Sequence, residues 1–372
     1  MSRKRTDTFV FVSGRTGPRL GRVERRLLAV METLVAEGAT VHVIGAPHGP
    51  MLEPARTLGA QVAPFAIARA GMIRSVSRTR SYLRSINPQV AHSTGWLGDY
   101  VLRQAAGPLS VNVVNSIHCV AWPPSGRNAL STSLYRALDR GNLKRADAIV
   151  IDCVDLGEPL VEAGVELERI FYDPPSVDLD RVREEADVLP APSLPGHAPH
   201  VGYAGSLERN RGLAVLAQSA AILGLRRAAA TVVVAGDGPA EDELADQIAA
   251  KRLYLLKGPK SVPAILRQFD VCVFPLLEAG TPTTLLEAAA LARPIVASRV
   301  KGLTGLFEEG NEIVLVEPGN AKALAAAIAG VLEDPAGARR MGERAQKRVV
   351  EECSLAASVA RHLKLYRKLG WE

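Results

Sequence analysis

The chain has 372 residues, 47% of them hydrophobic and 5% aromatic, which is too long for one ordinary core and suits an α/β protein of two domains. Its four cysteines, Cys119, Cys153, Cys272 and Cys353, lie far apart, so neither a disulfide framework nor a zinc site is indicated. No apolar run of about 18 residues and no signal peptide occurs, and we expect a cytoplasmic protein that does not span a membrane.

The positive charge is concentrated in the first third of the chain. The net charge is +6, yet residues 1–110 alone hold 15 Lys and Arg against 6 Asp and Glu. Five arginines fall on one predicted helix with Ile73, Val76 and Leu83 on its apolar face; they are Arg69, Arg74, Arg78, Arg80 and Arg84. This helix is either a solvated face or a patch for an anionic membrane or an anionic acceptor. Nucleic acid is not an expected partner, because stacking aromatics and binding motifs are missing.

The first half of the chain alternates apolar strands with amphipathic helices. The predicted strands are "TFVFVSG", "TVHVIG", "VAHSTG", "LSVNVVNSIH" and "AIVID", and "VERRLLAVMETLVAEG" is a typical intervening helix. This alternation predicts parallel βαβ units. We therefore expect an N-terminal Rossmann-like domain over residues 1–187.

A second alternating series follows a proline-rich segment at residues 188–200, the best linker candidate. Its strands are "HVGYAGS", "TVVVAG", "LYLLKG", "VCVFP", "PIVAS" and "EIVLVEP". We expect a second Rossmann-like domain over 188–352 and a final helix, 353–372, that packs back on the first domain. The fold class is thus α/β, with two doubly wound domains facing a cleft and ligands beyond the carboxyl ends of the strands.

The glycine-rich loops do not fit the common nucleotide motifs. Gly14, Gly17 and Gly21 after the first strand do not match the spacing G-x-G-x-x-G, and no acidic residue closes the second strand, which excludes a dinucleotide dehydrogenase. The loop "AGDGPAEDEL" lacks the Lys-Ser/Thr pair of a P-loop.

The segment "GTPTTLLEAAALARPIVAS", residues 280–298, combines an apolar helix with a single carboxylate. Thr281 suits the N-cap and Pro282 the first helical position, so the amides of Thr283 and Thr284 would face an anion such as a phosphate. Glu287 lies one turn further along the same face. Its carboxylate either accepts hydrogen bonds from sugar hydroxyls or pairs with a nearby arginine such as Arg293 or Arg299.

Four segments of the second half occur in the order and spacing of one known family: "YAGSLERNRGL", "VVVAGDGPAEDEL", "LKGPKSVPAILRQFDVCVFP" and "TLLEAAALARPIVAS". They resemble the C-terminal domain of the retaining glycosyltransferases of family 4, which have the GT-B fold. The segments "GRVERRLLAVMETLVAEGATVHVIG", "VVNSIH" and "LKRADAIVID" resemble landmarks of that family's N-terminal domain. The resemblance covers nearly the whole chain.

The resemblance implies roles for individual residues. Glu287 matches the carboxylate that binds the nucleotide ribose, and Arg211 takes the place of a lysine that contacts the donor diphosphate. His118 matches a histidine that lines the acceptor side of the reacting carbon. The donor site is also expected to include Thr283, Thr284 and three glycines of the loops, which are Gly21, Gly236 and Gly238.

The sequence departs from the family at two charged positions. A loop arginine is replaced by Ser206, and the first glutamate of the E-x7-E motif by Ala279. Arg209 is the candidate to supply the missing positive charge. Glu278, one residue out of register, is the candidate catalytic carboxylate if the loop carries an extra residue.

The family chemistry implies sugar transfer from a UDP- or GDP-sugar to a sugar, lipid-linked or small-molecule acceptor, with retained anomeric configuration. The helix N-terminus and cationic side chains would stabilise the departing diphosphate, so neither a metal nor another cofactor is expected. Asp178 and Asp180 form a D-x-D sequence, which is interpreted as structural from its position near the linker.

Three alternatives remain open at this point. His118, at the end of an apolar strand, could be a satisfied core residue. The chain could be a catalytically weak, nucleotide-sugar-binding partner of an active transferase. It could also be a GT-B hydrolase or epimerase that acts on a nucleotide sugar without a separate acceptor.

Overall fold

The computed structural model describes residues 7–14, 20–65, 67, 71–118, 142–188, 192–225, 230–250 and 252–371. The chain divides into two compact units. Unit 1 comprises Met1–Pro175 and Leu355–Glu372, and unit 2 comprises Ser176–Ser354.

Unit 1 contains a seven-stranded, fully parallel sheet with the strand order β3-β2-β1-β4-β5-β6-β7. The strands are β1 Thr8–Ser13, β2 Thr40–Gly45, β3 Gln61–Pro64, β4 Val90–Thr94, β5 Asn112–Ile117, β6 Ala148–Ile151 and β7 Ile170–Tyr172. The five predicted strands are confirmed. Strands β3 and β7 were not predicted; they are the short, partly exposed edge strands of the sheet.

Helices cover both faces of this sheet. They are α1 Arg22–Ala36, α2 Leu52–Thr57, α3 Met72–Ile86, α4 Trp96–Ala106, α5 Gly157–Glu162 and the final helix α13 Leu355–Lys368. Alternate residues of β1 face opposite layers: Phe9 and Phe11 join the core under α1, α2 and α13, and Val10 and Val12 join the core under α3, α4 and α5. Burial on both faces explains why the strands are continuously apolar.

The final helix, α13, is part of unit 1 although the residues before it belong to unit 2. Tyr366 packs on Phe9 with ring centroids 5.4 Å apart, and Trp371 contacts the same ring edge-on at 5.5 Å. The Tyr366 hydroxyl also lies 2.6 Å from Nδ1 of His92 in β4. The C-terminal residues therefore complete the core on one face of the first sheet.

Unit 2 contains a six-stranded parallel sheet with the order β10-β9-β8-β11-β12-β13. Its strands are β8 His200–Ala204, β9 Thr231–Ala235, β10 Tyr254–Leu256, β11 Val271–Phe274, β12 Ile295–Ser298 and β13 Val314–Val316. All six were predicted and are confirmed. The helices are α6 Leu179–Val188, α7 Leu213–Leu225, α8 Ala245–Ala249, α9 Val262–Leu266, α10 Thr283–Ala290, α11 Ala321–Glu333 and α12 Pro335–Glu352.

The division between the units precedes the expected boundary at residues 187 and 188. Helix α6 lies in unit 2, where Val182 is fully buried in the core. The hydroxyl of Ser261, the N-cap of α9, donates to the backbone oxygen of Glu185 at 3.1 Å. These contacts attach α6 to α9, so the proline-rich segment follows a helix that already belongs to the second unit.

Candidate functional site

The strand order of unit 2 reverses direction between β8 and β11. Ligands of doubly wound sheets bind at such a point, beyond the carboxyl ends of the strands. The loops that follow these two strands meet here, because the amide of Leu277 donates to the oxygen of Asn210 at 3.0 Å. Gly212 allows this approach: a Cβ there would lie 1.9 Å from the oxygen of Pro275, and its φ of +69° is left-handed.

The glycine turns beside this point leave no room for side chains. Gly236 directly follows β9 with φ at +148°, and a Cβ there would lie 1.8 Å from the oxygen of Gly205. Gly238 has φ at +155°, and its Cβ would lie 2.5 Å from the oxygen of Leu207. The backbone is therefore packed closely at the ends of β8 and β9.

Helix α10 begins beside the same turn, one residue later than predicted. Pro282 is the N-cap, with φ −61° and ψ 138°, and the hydroxyl of Thr281 donates to the oxygen of Gly302 at 2.8 Å. The prediction of Thr281 as the cap was wrong, because that hydroxyl bonds to the neighbouring loop. Thr283 and Thr284 occupy the first helical turn, where amides have no intrahelical acceptor. A Cβ added to Gly205 would lie 3.3 Å from Oγ1 of Thr284. The start of α10 therefore packs against the turn that follows β8.

Arg211 closes the short 3₁₀ turn Arg209–Arg211 in the loop after β8. Its Nε atom is buried and has no hydrogen-bond acceptor among the described residues. Burial raises the pKa of the Tyr203 phenol to about 12, and the positive charge of Arg211 opposes that rise. Arg211 thus brings a positive charge to the carboxyl end of β8, next to the glycine turns.

The two substitute residues, Arg209 and Glu278, are both exposed. Arg209 forms an ion pair with Asp242 at 3.1 Å. The carboxylate of Glu278 accepts a hydrogen bond from the Asn210 side chain at 3.2 Å, which places it beside the loop that carries Arg211. Ser206 is exposed as well, and its backbone oxygen accepts from the Tyr203 hydroxyl at 2.7 Å.

Glu287 is buried in α10, with 6% of its side chain exposed. Its carboxylate forms an ion pair with Arg181 of α6 at 2.5 Å, and Arg181 also binds Glu185 at 2.8 Å. Neither expected arginine is the partner that the structure gives: Arg293 binds backbone oxygens, and Arg299 pairs with two other glutamates. Sequence reasoning missed Arg181 because it precedes Glu287 by 106 residues.

A second cluster lies at the carboxyl ends of neighbouring strands in unit 1. His118 follows β5, and its Nδ1 lies 3.1 Å from Oδ2 of Asp152, which follows β6. The same oxygen accepts from Arg22 at 3.1 Å. Because a carboxylate only accepts, Nδ1 of His118 carries the proton. The buried Nε2 has no partner among the described residues.

Gly21 is the N-cap of α1 and directly precedes Arg22. Its amide donates to the carboxylate of Glu24 at 3.0 Å, which forms half of a capping box. Gly21 is extended, with φ −84° and ψ 177°, so its conformation alone does not require glycine. Asp152 and Arg22 were not among the predicted site residues, although the "AIVID" strand signal ended at Asp152.

Of the two aspartates in the D-x-D sequence, Asp178 has a structural role. Asp178 caps α6, since its carboxylate accepts from the amide of Arg181 at 3.1 Å. Asp180 is 98% exposed. No group of three potential metal-ligating side chains occurs within the described ranges.

The basic helix predicted near residue 78 is α3. Ser75, Thr79 and Leu83 form its buried face. The placement of Ile73 on the apolar face was wrong, because Ile73 is 88% exposed. Arg80 points inward and donates to backbone oxygens at the end of α4 at 2.8 and 3.3 Å.

The other predicted arginines of this helix do not point inward as Arg80 does, or are not described. Arg74, Arg78 and Arg84 are exposed, and Arg69 lies outside the described residues. Within the described ranges, the chain has no helix both long enough and apolar enough to cross a bilayer.

Comparison with known proteins gives consistent matches. The profile "Glycosyl transferase 4-like domain" matches residues 21–176, and the profile "Glycosyl transferases group 1" matches residues 198–334. Glycogen synthase of Mycobacterium tuberculosis H37Rv is 28% identical over 306 residues, which cover 77% of this chain and 70% of that protein. The D-inositol 3-phosphate glycosyltransferase of Kineococcus radiotolerans is 28% identical over 386 residues, covering 91% of this chain and 82% of the relative.

Solved structures share the fold. The crystal structure of Anabaena Alr3699/HepE in complex with UDP matches with a TM-score of 0.77 at 16% identity, over 97% of this chain and all of that one. The expected fold class, two doubly wound α/β domains of the GT-B type, is confirmed. Because the two profiles together match most of the sequence, the chain belongs to the group 1 glycosyltransferases and carries their 4-like N-terminal domain.

Proposed function

We propose that the chain transfers a sugar from a nucleoside-diphosphate sugar to an acceptor, with retained anomeric configuration and without a metal. The observation that carries this proposal is the convergence of three anion-binding features at the switch point of unit 2. They are the glycine turns at Gly205 and Gly236, the N-terminus of α10, and the half-buried guanidinium of Arg211.

The diphosphate is the part of the donor that these features would bind. Free amides at the start of α10 and the positive end of its dipole favour negative charge. Arg211 can donate two parallel hydrogen bonds to phosphate oxygens. As the bond between the sugar and the diphosphate breaks, these groups would stabilise the charge that develops on the leaving phosphate. The Anabaena protein of the same fold forms a complex with UDP, which supports a nucleotide donor here.

We assign Glu287 to binding of the donor ribose. Arg181 is assigned to holding the Glu287 carboxylate in place. A carboxylate with 6% exposure is costly to bury without a cation, and Arg181 supplies one. The ion pair therefore does not exclude a binding role, because it holds a charged acceptor one turn beyond the helix N-terminus. Arg209, Gly238 and Glu278 remain candidates for contacts at the edge of the donor site.

In unit 1 we assign His118 to the acceptor side of the reacting carbon, as the family resemblance implies, and Gly21 to the backbone near the donor. Asp152 fixes the ring of His118 by accepting from Nδ1, which leaves Nε2 as the ring nitrogen that can face the substrate. During transfer the acceptor oxygen bonds to the sugar carbon, and its proton passes to the departing diphosphate.

The acceptor is proposed to be anionic or embedded in an anionic membrane. Support comes from the exposed arginines of α3 and from the surplus of basic residues in the first third of the chain. The Kineococcus relative is named for an acceptor that carries a phosphate. Ile73, exposed among these arginines, adds one apolar contact to an otherwise electrostatic surface.

A second candidate function rests on the two family positions that are not charged here. Ser206 and Ala279 replace an arginine and a glutamate, Arg209 is engaged by Asp242, and Glu278 is engaged by Asn210. These contacts favour a weakly active subunit that binds nucleotide sugar for a partner transferase.

Release of nucleoside diphosphate from a panel of UDP- and GDP-sugars, with and without acceptors, separates the functions. Transferase activity requires acceptor-dependent release, whereas release without an acceptor indicates a hydrolase, and binding without release indicates the subunit.

The site assignment is tested by calorimetric titration of UDP and GDP. Glu287→Gln should weaken binding of the preferred nucleotide by about 1–3 kcal/mol, since a charge-assisted hydrogen bond is lost from a buried site. Glu312→Gln is the matched control, because Glu312 is also a buried carboxylate, paired with Arg348 at 2.6 Å, and should leave affinity unchanged. Equal affinity of wild type and a folded Glu287→Gln variant would show that Glu287 is structural.

A further inference from the structure

Unit 1 contains a cavity of about 450 Å³ between α13 and the sheet edge formed by β6 and β7. Its lining residues are Val150, Phe171, Tyr172, Asp173, Arg361, His362, Lys364, Leu365 and Lys368. None of them is among the candidate donor- or acceptor-site residues. The volume falls in the range of pockets that enclose small-molecule ligands.

The apolar part of the lining comes from two adjoining strands and one helix. Phe171 and Tyr172 of the edge strand are half-buried, and Val150 and Leu365 are buried. The ammonium group of Lys368 lies 4.8 Å from the centroid of the Phe171 ring. A strand that ends a sheet would normally be covered by charged residues or a helix. Here the helix leaves a gap with an apolar wall, which suits an aliphatic chain.

The charged groups around this cavity give a positive balance. Among the described residues, Asp173 is the one acidic side chain that lines the cavity. Its carboxylate is already bound by Arg26 at 2.8 Å, Arg361 at 2.6 Å and the Ser358 hydroxyl at 2.6 Å. Burial lowers the pKa of the His362 imidazole to about 4, so the ring is neutral near pH 7. Two lysines also line the cavity, and no further acidic side chain among the described residues lies there to balance their charge.

Lys364 and Lys368 carry this excess charge. They lie four residues apart, on the same face of α13, and both are exposed. Neither forms an ion pair with a carboxylate in the described part of the chain. Lys368 is in the last helical turn, where the helix dipole favours a cation, but Lys364 lies one turn earlier and has no such reason to be basic.

We propose that this cavity binds a single-chain anionic amphiphile, with the alkyl chain against Phe171 and Leu365 and a phosphate head between Lys364 and Lys368. Two lysines one helical turn apart line the apolar cavity, and their two ammonium groups match a phosphate monoester on an aliphatic chain. Each point charge favours the head, and burial of each methylene favours the chain. The site is independent of the proposed transferase chemistry.

The probe is decyl phosphate, titrated calorimetrically below the concentration at which it forms aggregates. We expect saturable binding of one molecule per chain. Inorganic phosphate and decanol, which present the head or the chain alone, should each bind at least tenfold more weakly. Lys364→Glu combined with Lys368→Glu should weaken binding of decyl phosphate at least tenfold, because two attractive charges become repulsive.

Lys322→Glu combined with Lys347→Glu is the matched control. These lysines are exposed in unit 2, and the pair makes the same change in net charge, so its affinity for decyl phosphate should equal that of wild type. Bound ligand should also protect Lys364 and Lys368 from acetylation, measured by mass spectrometry, while Lys322 stays reactive.

Three results would overturn the proposal: equal affinity of wild type and the Lys364/Lys368 variant, equal binding of decanol and decyl phosphate, or unchanged acetylation of both lysines at saturation. The circular dichroism spectrum of the variant, compared with that of wild type, shows whether it is folded. Should it fail to fold, Lys364→Gln with Lys368→Gln carries the same test with an expected loss of at least threefold.

Discussion

His362 should make unit 1 sensitive to mild acid. Its imidazole is 1% exposed, and Nδ1 lies 2.9 Å from the backbone oxygen of Ser358. Burial lowers the pKa of this ring from 6.5 to about 4, because a charge would be desolvated, and the cation Arg26 adds to the effect against the attraction of Asp173. At a pH between these two values the His362 ring is therefore mostly neutral in the folded protein, whereas it is mostly protonated in the unfolded chain.

The sign and size of the effect follow from linkage. Between pH 6.5 and pH 4 the unfolded state binds more protons than the folded state, so stability falls as the pH falls. The difference of about 2.5 between the two pKa values corresponds to about 3 kcal/mol in the free energy of unfolding. This stability is fully present above pH 6.5 and is lost progressively as the pH falls towards 4. The buried ring of His92 stacks on His362 with centroids 5.6 Å apart, and its pKa is lowered by burial and by His362, so it acts in the same direction.

The test is guanidinium unfolding of wild type and His362→Phe at pH 7, 6 and 5, followed by tryptophan fluorescence. All three tryptophans, Trp96, Trp122 and Trp371, fall in the residue ranges of unit 1, so the signal reports on that unit. The variant should lose up to about 1.4 kcal/mol per pH unit of the acid dependence. Replacement of the exposed His48 by Phe should leave the dependence unchanged. An identical pH slope in wild type and His362→Phe would refute the reasoning.

Treatment with EDTA should leave transfer activity largely intact, because we propose that cationic side chains and a helix N-terminus take the place of a metal; loss of activity that Mg²⁺ or Mn²⁺ restores would contradict this. Asp152→Asn should lower kcat by roughly 10- to 100-fold with unchanged nucleotide affinity, since the charge-assisted bond to His118 is lost, and a wild-type kcat would show that the bond is only structural. The protein should sediment with anionic vesicles at low salt and be released as ionic strength rises. Reversal of Arg74, Arg78 and Arg84 to Glu should abolish that binding, whereas a wild type that ignores such vesicles would leave these arginines as a solvated face.

The fold was predictable because both sheets are parallel and buried. Parallel strands read as continuous apolar runs, and eleven of these runs lie where strands are found in the structure. The two missed strands, Gln61–Pro64 and Ile170–Tyr172, are edges with partly exposed residues, so their apolar signal is weak. Helix α6 was assigned to the first domain because proline content marks a flexible segment, whereas a domain boundary depends on packing.

The candidate site was predictable only where its groups are local in sequence. The helix that begins near Thr283 and the glycine turns carry short-range signals. The partners of the charged groups do not, because Arg181 reaches Glu287 across 106 residues and Asp152 reaches His118 across 34. The cap at Thr281 failed for the same reason, since its hydroxyl bonds to a residue 21 positions away.

The discontinuity of unit 1 sets an order on synthesis. Unit 2 is contiguous and can close its core once Ser354 has emerged, whereas unit 1 must wait for Leu355–Lys368. Until then Phe9 lacks the rings of Tyr366 and Trp371, and one face of the first sheet presents apolar surface to the cell. The nascent N-terminal half is therefore a candidate client for chaperones. A stop codon in place of Leu355 would remove all of α13 and leave the part of that face beneath it uncovered for the life of the product.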